Sequence, residues 1–101
     1  MDDDKLAQNF KALSDPTRIR ILRLLPSTPS CEEVYNVSEL AEELSIPQPN
    51  VSHHLKILLH AGLVNNKKMC RDVYYWIDEE AFRLASEALK SVIDPGARAE
   101  A

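Results

Sequence analysis

The chain holds only two glycines, two cysteines and six aromatic residues, and each scarcity removes a class of protein. Gly62 and Gly96 are too few for one common phosphate-cradling loop and too far apart for the other. Two cysteines, with no CxxC, suggest neither a disulfide framework nor a thiolate metal knuckle, so Cys31 and Cys70 read as reduced thiols. No apolar run approaches the roughly 20 residues of a membrane span. The first residues, MDDDKLAQ, are acidic where a secretory signal is basic, which makes a cytoplasmic location the expectation and a membrane partner unexpected. HExxH and any spacing that would gather Ser, His and Asp are also missing, so neither enzymatic activity nor a cofactor is expected. What remains is a 101-residue chain, 45% hydrophobic, enough for one domain with a modest core.

Acidic residues are missing from one interval in particular. The net charge is −4, yet no Asp or Glu occurs between Glu43 and Asp72, where Lys56, Lys67, Lys68, Arg71 and all three histidines lie. The interval therefore carries +4 and the remainder −8. A basic element on an acidic body is the electrostatic footprint of a DNA-binding module, whereas the alternative is an uneven solvated surface.

Periodicity supplies the elements. Leu6, Phe10 and Leu13 make one apolar stripe on a helix over residues 3–13. Asp15 as cap and Pro16 in the first turn start a second, strongly apolar helix running to about Leu25. PSTPS is a loop, Val34 and Tyr35 suit a short strand, and Asn36 with Glu39 forms a capping box for VSELAEEL. Ser45-Ile46-Pro47 allows only a tight turn before a fourth helix, which runs to His60 or Ala61 and ends at Gly62. Leu63 to Lys68 and Arg71 to Ile77 read as a hairpin with Met69-Cys70 at its tip. Asp78 caps a last helix to about Ile93, with Phe82, Ala85, Leu89 and Val92 on its apolar stripe, and residues 94–101 read as a disordered tail.

A mainly α domain over residues 1–93 follows, with a β-hairpin wing after two helices joined by a tight turn: a winged helix-turn-helix. KALSDPTRIRILRLL, VSELAEEL, QPNVSHHLKILLHAGLV and the hairpin ending DVYYWI also occur in order. Over residues 6–92 the chain resembles the arsenic- and metal-responsive repressors of the ArsR/SmtB type. The resemblance implies a dimeric transcriptional repressor, its first and last helices forming the dimer interface and its fourth helix reading DNA. It also implies where metal ligands would stand. The thiolate pair of the third helix falls on Asn36 and Ser38; the set of the last helix falls on Glu79, Ala81, Val92 and Pro95, where only Glu79 could coordinate. The usual metal sites are absent, so the metal is unknown and the effector unassigned.

The expected DNA-binding residues are Gln48, Asn50, Ser52, His53 and Lys56 on the fourth helix and Lys67, Lys68 and Arg71 on the wing. For each, the bland alternative is an ordinary solvated face. The expected dimer interface is Leu6, Phe10, Leu13, Phe82, Ala85, Leu89 and Val92, which would set two reading helices about 34 Å apart on a pseudo-palindromic operator in double-stranded DNA. The other reading is a winged helix used for protein contact, which the acid-free interval disfavours. Adjacent helical positions point about 100° apart, so His53 and His54 cannot clamp one metal. His53 falls outward, and His54 at the core edge, expected to bond a neighbouring backbone group. Cys70 beside Lys68 and Arg71 is a candidate thiol sensor, with Cys31 a second. A regular hairpin puts its tip about 20 Å from its base, so the two cysteines of one subunit are not expected to share a ligand.

Overall fold

The computed structural model describes residues 1–94 and 96. Most of the expected tail lies outside the described residues.

Four of the five described helices begin where a side chain satisfies free N–H groups; the fourth in chain order starts after Pro47 with no side-chain cap. The Asp2 carboxylate caps α1 (Asp3–Leu13) by accepting from the Lys5 N–H at 2.7 Å. Asp15 caps α2 (Pro16–Leu24), accepting from Thr17 and Arg18. Desolvation pushes the Asp15 carboxyl up, but those two N–H groups, with the nearby Arg18 charge, hold it below its usual 3.8. The stabilisation it gives is therefore complete above that value and lost as pH falls through its lowered folded value. Asn36 and Glu39 close a reciprocal capping box on α3 (Val37–Leu44). Ser45, with φ 56°, turns the chain into α4 (Gln48–His60), which ends at Gly62 with φ 77°. There the Leu63 N–H reaches back to the Leu58 carbonyl at 3.1 Å. Gly62 is favoured by its φ, and a Cβ there would stand 3.1 Å from Lys5 Nζ, which donates to the Ala61 carbonyl and would have to shift by a few tenths of an ångström.

Strands β1 (Val64–Met69) and β2 (Asp72–Ile77) pair antiparallel from Val64↔Ile77 to Met69↔Asp72. Asp78 then caps α5 (Glu79–Ile93). The core is sealed by Ile21, Leu40, Val51, Leu55, Leu58 and Leu63, so α2, α3, α4 and the hairpin base pack around one centre. The hairpin base is anchored by Ile77 N–H to the Pro26 carbonyl at 2.8 Å and Asp78 N–H to the Leu63 carbonyl at 3.0 Å. α5 buries only Ala85 and packs on α1.

Three expectations are corrected. Val34 and Tyr35 form no strand among the described residues; the loop turns through Ser30–Glu32 and a left-handed Glu33 (φ 55°) instead of running straight beside the hairpin. The hairpin tip is Cys70-Arg71, one residue later than expected. With φ of 51° and 74° it is a two-residue turn of the mirror-image type that matches strand twist, although Asn-Gly would suit it better. Finally, Cys31 and Cys70 are neither free nor distant: they form a disulfide with Cα atoms 6.4 Å apart. The 26–33 loop climbs to the tip, so measuring along the hairpin gave the wrong separation. Cross-linking across 39 positions of sequence restricts the unfolded chain by roughly 4 kcal/mol in the chain-entropy account.

One nearly buried cation ties the helices together. Arg18 Nε donates to the Ala12 carbonyl at 2.6 Å, and an Arg18 terminal nitrogen lies 3.1 Å from His54 Nδ1. Guanidinium only donates, so Nδ1 accepts and the ring proton sits on Nε2. His54 is half-buried as expected, but its partner is this side chain and not backbone. Arg18→Ala leaves the Ala12 carbonyl and His54 unpaired, and should lower unfolding free energy by about 1–3 kcal/mol in urea titration; a change within error would remove Arg18 from this role.

Candidate nucleic-acid interface

Ser45-Ile46-Pro47 holds α4 across α3, and the wing leaves directly from the C-terminal end of α4, so the open face of α4 and the ribbon form two walls of one concavity. Gln48, Ser52 and Lys56 line it from α4; Asn66, Lys68, Arg71 and Tyr75 line it from the ribbon; Asn36 and Ser38 close it from α3. Its volume is about 570 Å³, open to solvent. Amide, hydroxyl and cationic groups converge there, the donor set that meets base edges and phosphates.

The expected residues do not all meet. Gln48, Ser52, Lys56, Lys68 and Arg71 share the concavity. Asn50 is exposed on the first turn of α4 outside it. His53 is also exposed, but lines a second hollow beside α1 with Gln8, Lys11, Arg18 and His60; Lys56 borders both. Lys67 is separated by strand alternation: it pairs with the buried Tyr74, whereas Lys68 pairs with Val73 on the opposite face, the one that lines the concavity. Asn66 and Tyr75, one cross-strand pair, were missed, although the period-2 pattern places them on the Lys68 face.

Asp72 was also overlooked. It lines the concavity beside Arg71, where the Asn36 Nδ2 donates to its Oδ2 at 3.4 Å, linking the wing to the cap of α3. A carboxylate there offsets part of the positive charge of Lys68 and Arg71 while it fixes the wing.

The expected dimer residues divide as well. Leu13 and Phe82 pack on the core edge, Ala85 is buried, and Leu6 is half-buried. Phe10, Leu89 and Val92 are exposed, joined by Leu84 and by Ile93 at 68%. These additions extend the apolar surface along α5. Among the described residues no group of three or more His, Cys, Asp or Glu could hold a metal ion. Pro95, one of the positions tested against the metal-site pattern, lies outside the described residues. Among the described residues no helix is long and apolar enough to cross a membrane.

Two helices joined by a tight turn, a polar face on the second and a cationic ribbon beside it define a winged helix-turn-helix regulator of transcription. A profile described as "Bacterial regulatory protein, arsR family" matches residues 15–66. An HTH-type transcriptional regulator of Methanocaldococcus jannaschii is 42% identical over 83% of this chain and 94% of its own length. The HTH-type transcriptional repressor SmtB of Mycobacterium tuberculosis is 37% identical over 89% of this chain, which spans 58% of that protein. Among solved structures, an ArsR-like transcriptional regulator from Rhodococcus superposes with TM-score 0.77 at 29% identity, covering 96% of this chain and 84% of that one. A homodimeric winged helix-turn-helix DNA-binding domain from Mycobacterium bovis gives TM-score 0.67 at 27% identity, covering 88% and 79%. The chain belongs to the arsR family and is a DNA-binding transcriptional regulator.

Lys67→Ala with Lys68→Ala should weaken binding to every duplex and reduce the slope of log affinity against log salt by up to about 2, with Lys68 contributing in the concavity and Lys67 from the ribbon's other face. An unchanged slope would exclude the wing from phosphate contact. Asp72→Asn, which keeps the shape, should instead raise affinity severalfold at low salt, on the order of the effect of one phosphate-facing charge.

Proposed function

We propose that the protein is a dimeric transcriptional repressor that inserts α4 into the major groove of each half of a pseudo-palindromic operator. The observation that carries this reading is the convergence of Gln48, Ser52 and Lys56 with Lys68 and Arg71 on one concave face. Gln48 and Ser52 read base edges from the first turns of α4, and Asn50 does so from its exposed side. Lys56 meets phosphate between the two hollows, while Lys67, Lys68 and Arg71 clamp the backbone beside the reading helix. His53 faces the hollow beside α1, where it and Lys11 flank the adjacent phosphates.

The apolar row on α1 and α5 supports the dimer. Phe10, Leu89, Val92 and Ile93 are all at least 40% exposed, an unfavourable surface unless a second copy covers it. Two copies paired through α1 and α5 place their α4 helices about one DNA turn apart, the spacing that makes half-sites cooperative. The homodimeric Mycobacterium bovis domain and the repressors among the relatives support the same assembly and sign of regulation. A regulator of this kind acts where the chromosome lies, consistent with a cytoplasmic location. Its effector is a small molecule, metal or redox signal acting away from the usual metal positions.

A duplex selected by the protein from a random pool should contain two inverted half-sites. Leu89→Glu buries a charge at the proposed interface; sedimentation should show a monomer, and affinity for the selected duplex should fall at least about tenfold. A variant that stays dimeric and binds normally would place the interface elsewhere.

A further inference from the structure

We propose that Cys31 and Cys70 are a reversible dithiol–disulfide pair controlling the wing, and that the disulfide form is the one that grips DNA. This inference rests on the DNA-binding reading above.

The bond joins two elements of the DNA face that no backbone ladder connects. Cys70 is the first residue of the ribbon's tip turn, next to Arg71, which lines the concavity; Cys31 lies in the loop leading to Asn36, the cap of α3. Across that junction the only side-chain hydrogen bond among the described residues is the one from Asn36 to Asp72 at 3.4 Å, so the covalent link dominates the tip's position. The tip itself resists its shape. Cys70 and Arg71 both occupy left-handed backbone, where neither residue is at ease, and the disulfide holds one of them there. Without it, the turn can relax and the ribbon is fixed only at its base, by Ile77 to Pro26 and Asp78 to Leu63. Arg71 and Lys68 then lose their fixed placement opposite Gln48, Ser52 and Lys56, and DNA must order the wing on binding.

Location and access favour a pair that cycles. A DNA-binding protein works in a compartment whose thiol pools reduce disulfides, so a disulfide there is commonly redox-sensing or catalytic. This one is reachable: Cys70 is exposed, and Cys31 lines an open groove with Val34, Tyr35 and Tyr74. A cellular dithiol opens it as one thiolate attacks a cysteine sulfur, forming a mixed disulfide and releasing the other cysteine as thiol. The dithiol's second sulfur then displaces the first cysteine, so two electrons and two protons pass to the pair and the reductant leaves as a disulfide. A peroxide reverses this: one thiolate takes the terminal oxygen to become sulfenic acid, with loss of hydroxide or alkoxide, and the other thiol displaces water to restore the bond.

The test measures binding of a duplex, selected in parallel with and without dithiothreitol, by wild-type protein in three states. These are as oxidised by hydrogen peroxide, as reduced by dithiothreitol, and as reoxidised, with free thiols counted by alkylation and helicity followed by circular dichroism. The oxidised and reoxidised forms should bind about tenfold more tightly than the reduced form at unchanged helicity. Cys31→Ser with Cys70→Ser should match the reduced form and ignore both reagents. Equal affinity in the two states, tighter binding by the reduced form, a pair that dithiothreitol does not open in the folded protein, or a redox response that survives the double substitution would each overturn the switch. Salt-dependent binding that is the same in both states would leave the DNA-binding reading standing and remove only the switch. Absence of salt-dependent binding in either state would remove both.

Discussion

The placement of the reading helix depends on Arg18. Its guanidinium is nearly buried, with 12% of the side chain exposed, and reaches the last turn of α1 through the Ala12 carbonyl, its own helix cap Asp15 at 4.0 Å, and α4 through His54 Nδ1. A charge so little hydrated is tolerable only when its donors are matched, so the three partners must keep their positions together. The angle of α4 to α1 is therefore set by polar geometry at one end and by the packing of Val51, Leu55 and Leu58 along its length. Apolar packing alone would tolerate a small rotation of α4; a hydrogen-bonded guanidinium does not.

That same arrangement explains the two adjacent histidines. A shared turn of helix divides them: His54 is directed to Arg18, and His53 stays outside. Their rings are tilted to one another with centroids 6.0 Å apart; His54 bonds Arg18 from the core edge, while His53 lines the open hollow that Arg18 also borders.

Much of this was legible in the sequence because the signals were local. Caps at Asp15, Asn36 and Asp78, the left-handed Gly62 and the α-helical stripes each depend on residues within one or two turns, and these helices begin and end within a residue or so of expectation. The acid-free interval also located the cationic face. What the sequence did not convey was long-range or depended on alternation counted from an uncertain end. A one-residue error at the hairpin tip reverses which lysine faces α4, so Lys67 and Lys68 could not be separated until the register was known. The extra length of the 26–33 loop looked like slack, yet it is what lets Cys31 reach the tip. The partner of His54 lies 36 positions away, and no periodicity reports such a contact. Asp72 was passed over because it was read as the end of the basic interval, whereas its place beside the tip turn, within reach of Asn36, brings it into the concavity despite an alternation that pairs its face with Lys67 and Tyr74.

The groups proposed to face DNA lie almost entirely in one unbroken run, from Gln48 to Arg71, whereas the exposed apolar residues proposed for pairing come from the first and last helices. Recognition and assembly are thus written in separate stretches of the gene. An exchange of that central run, whether by recombination or by a few point changes, would redirect such a protein to a different promoter while leaving its ability to find its own twin intact.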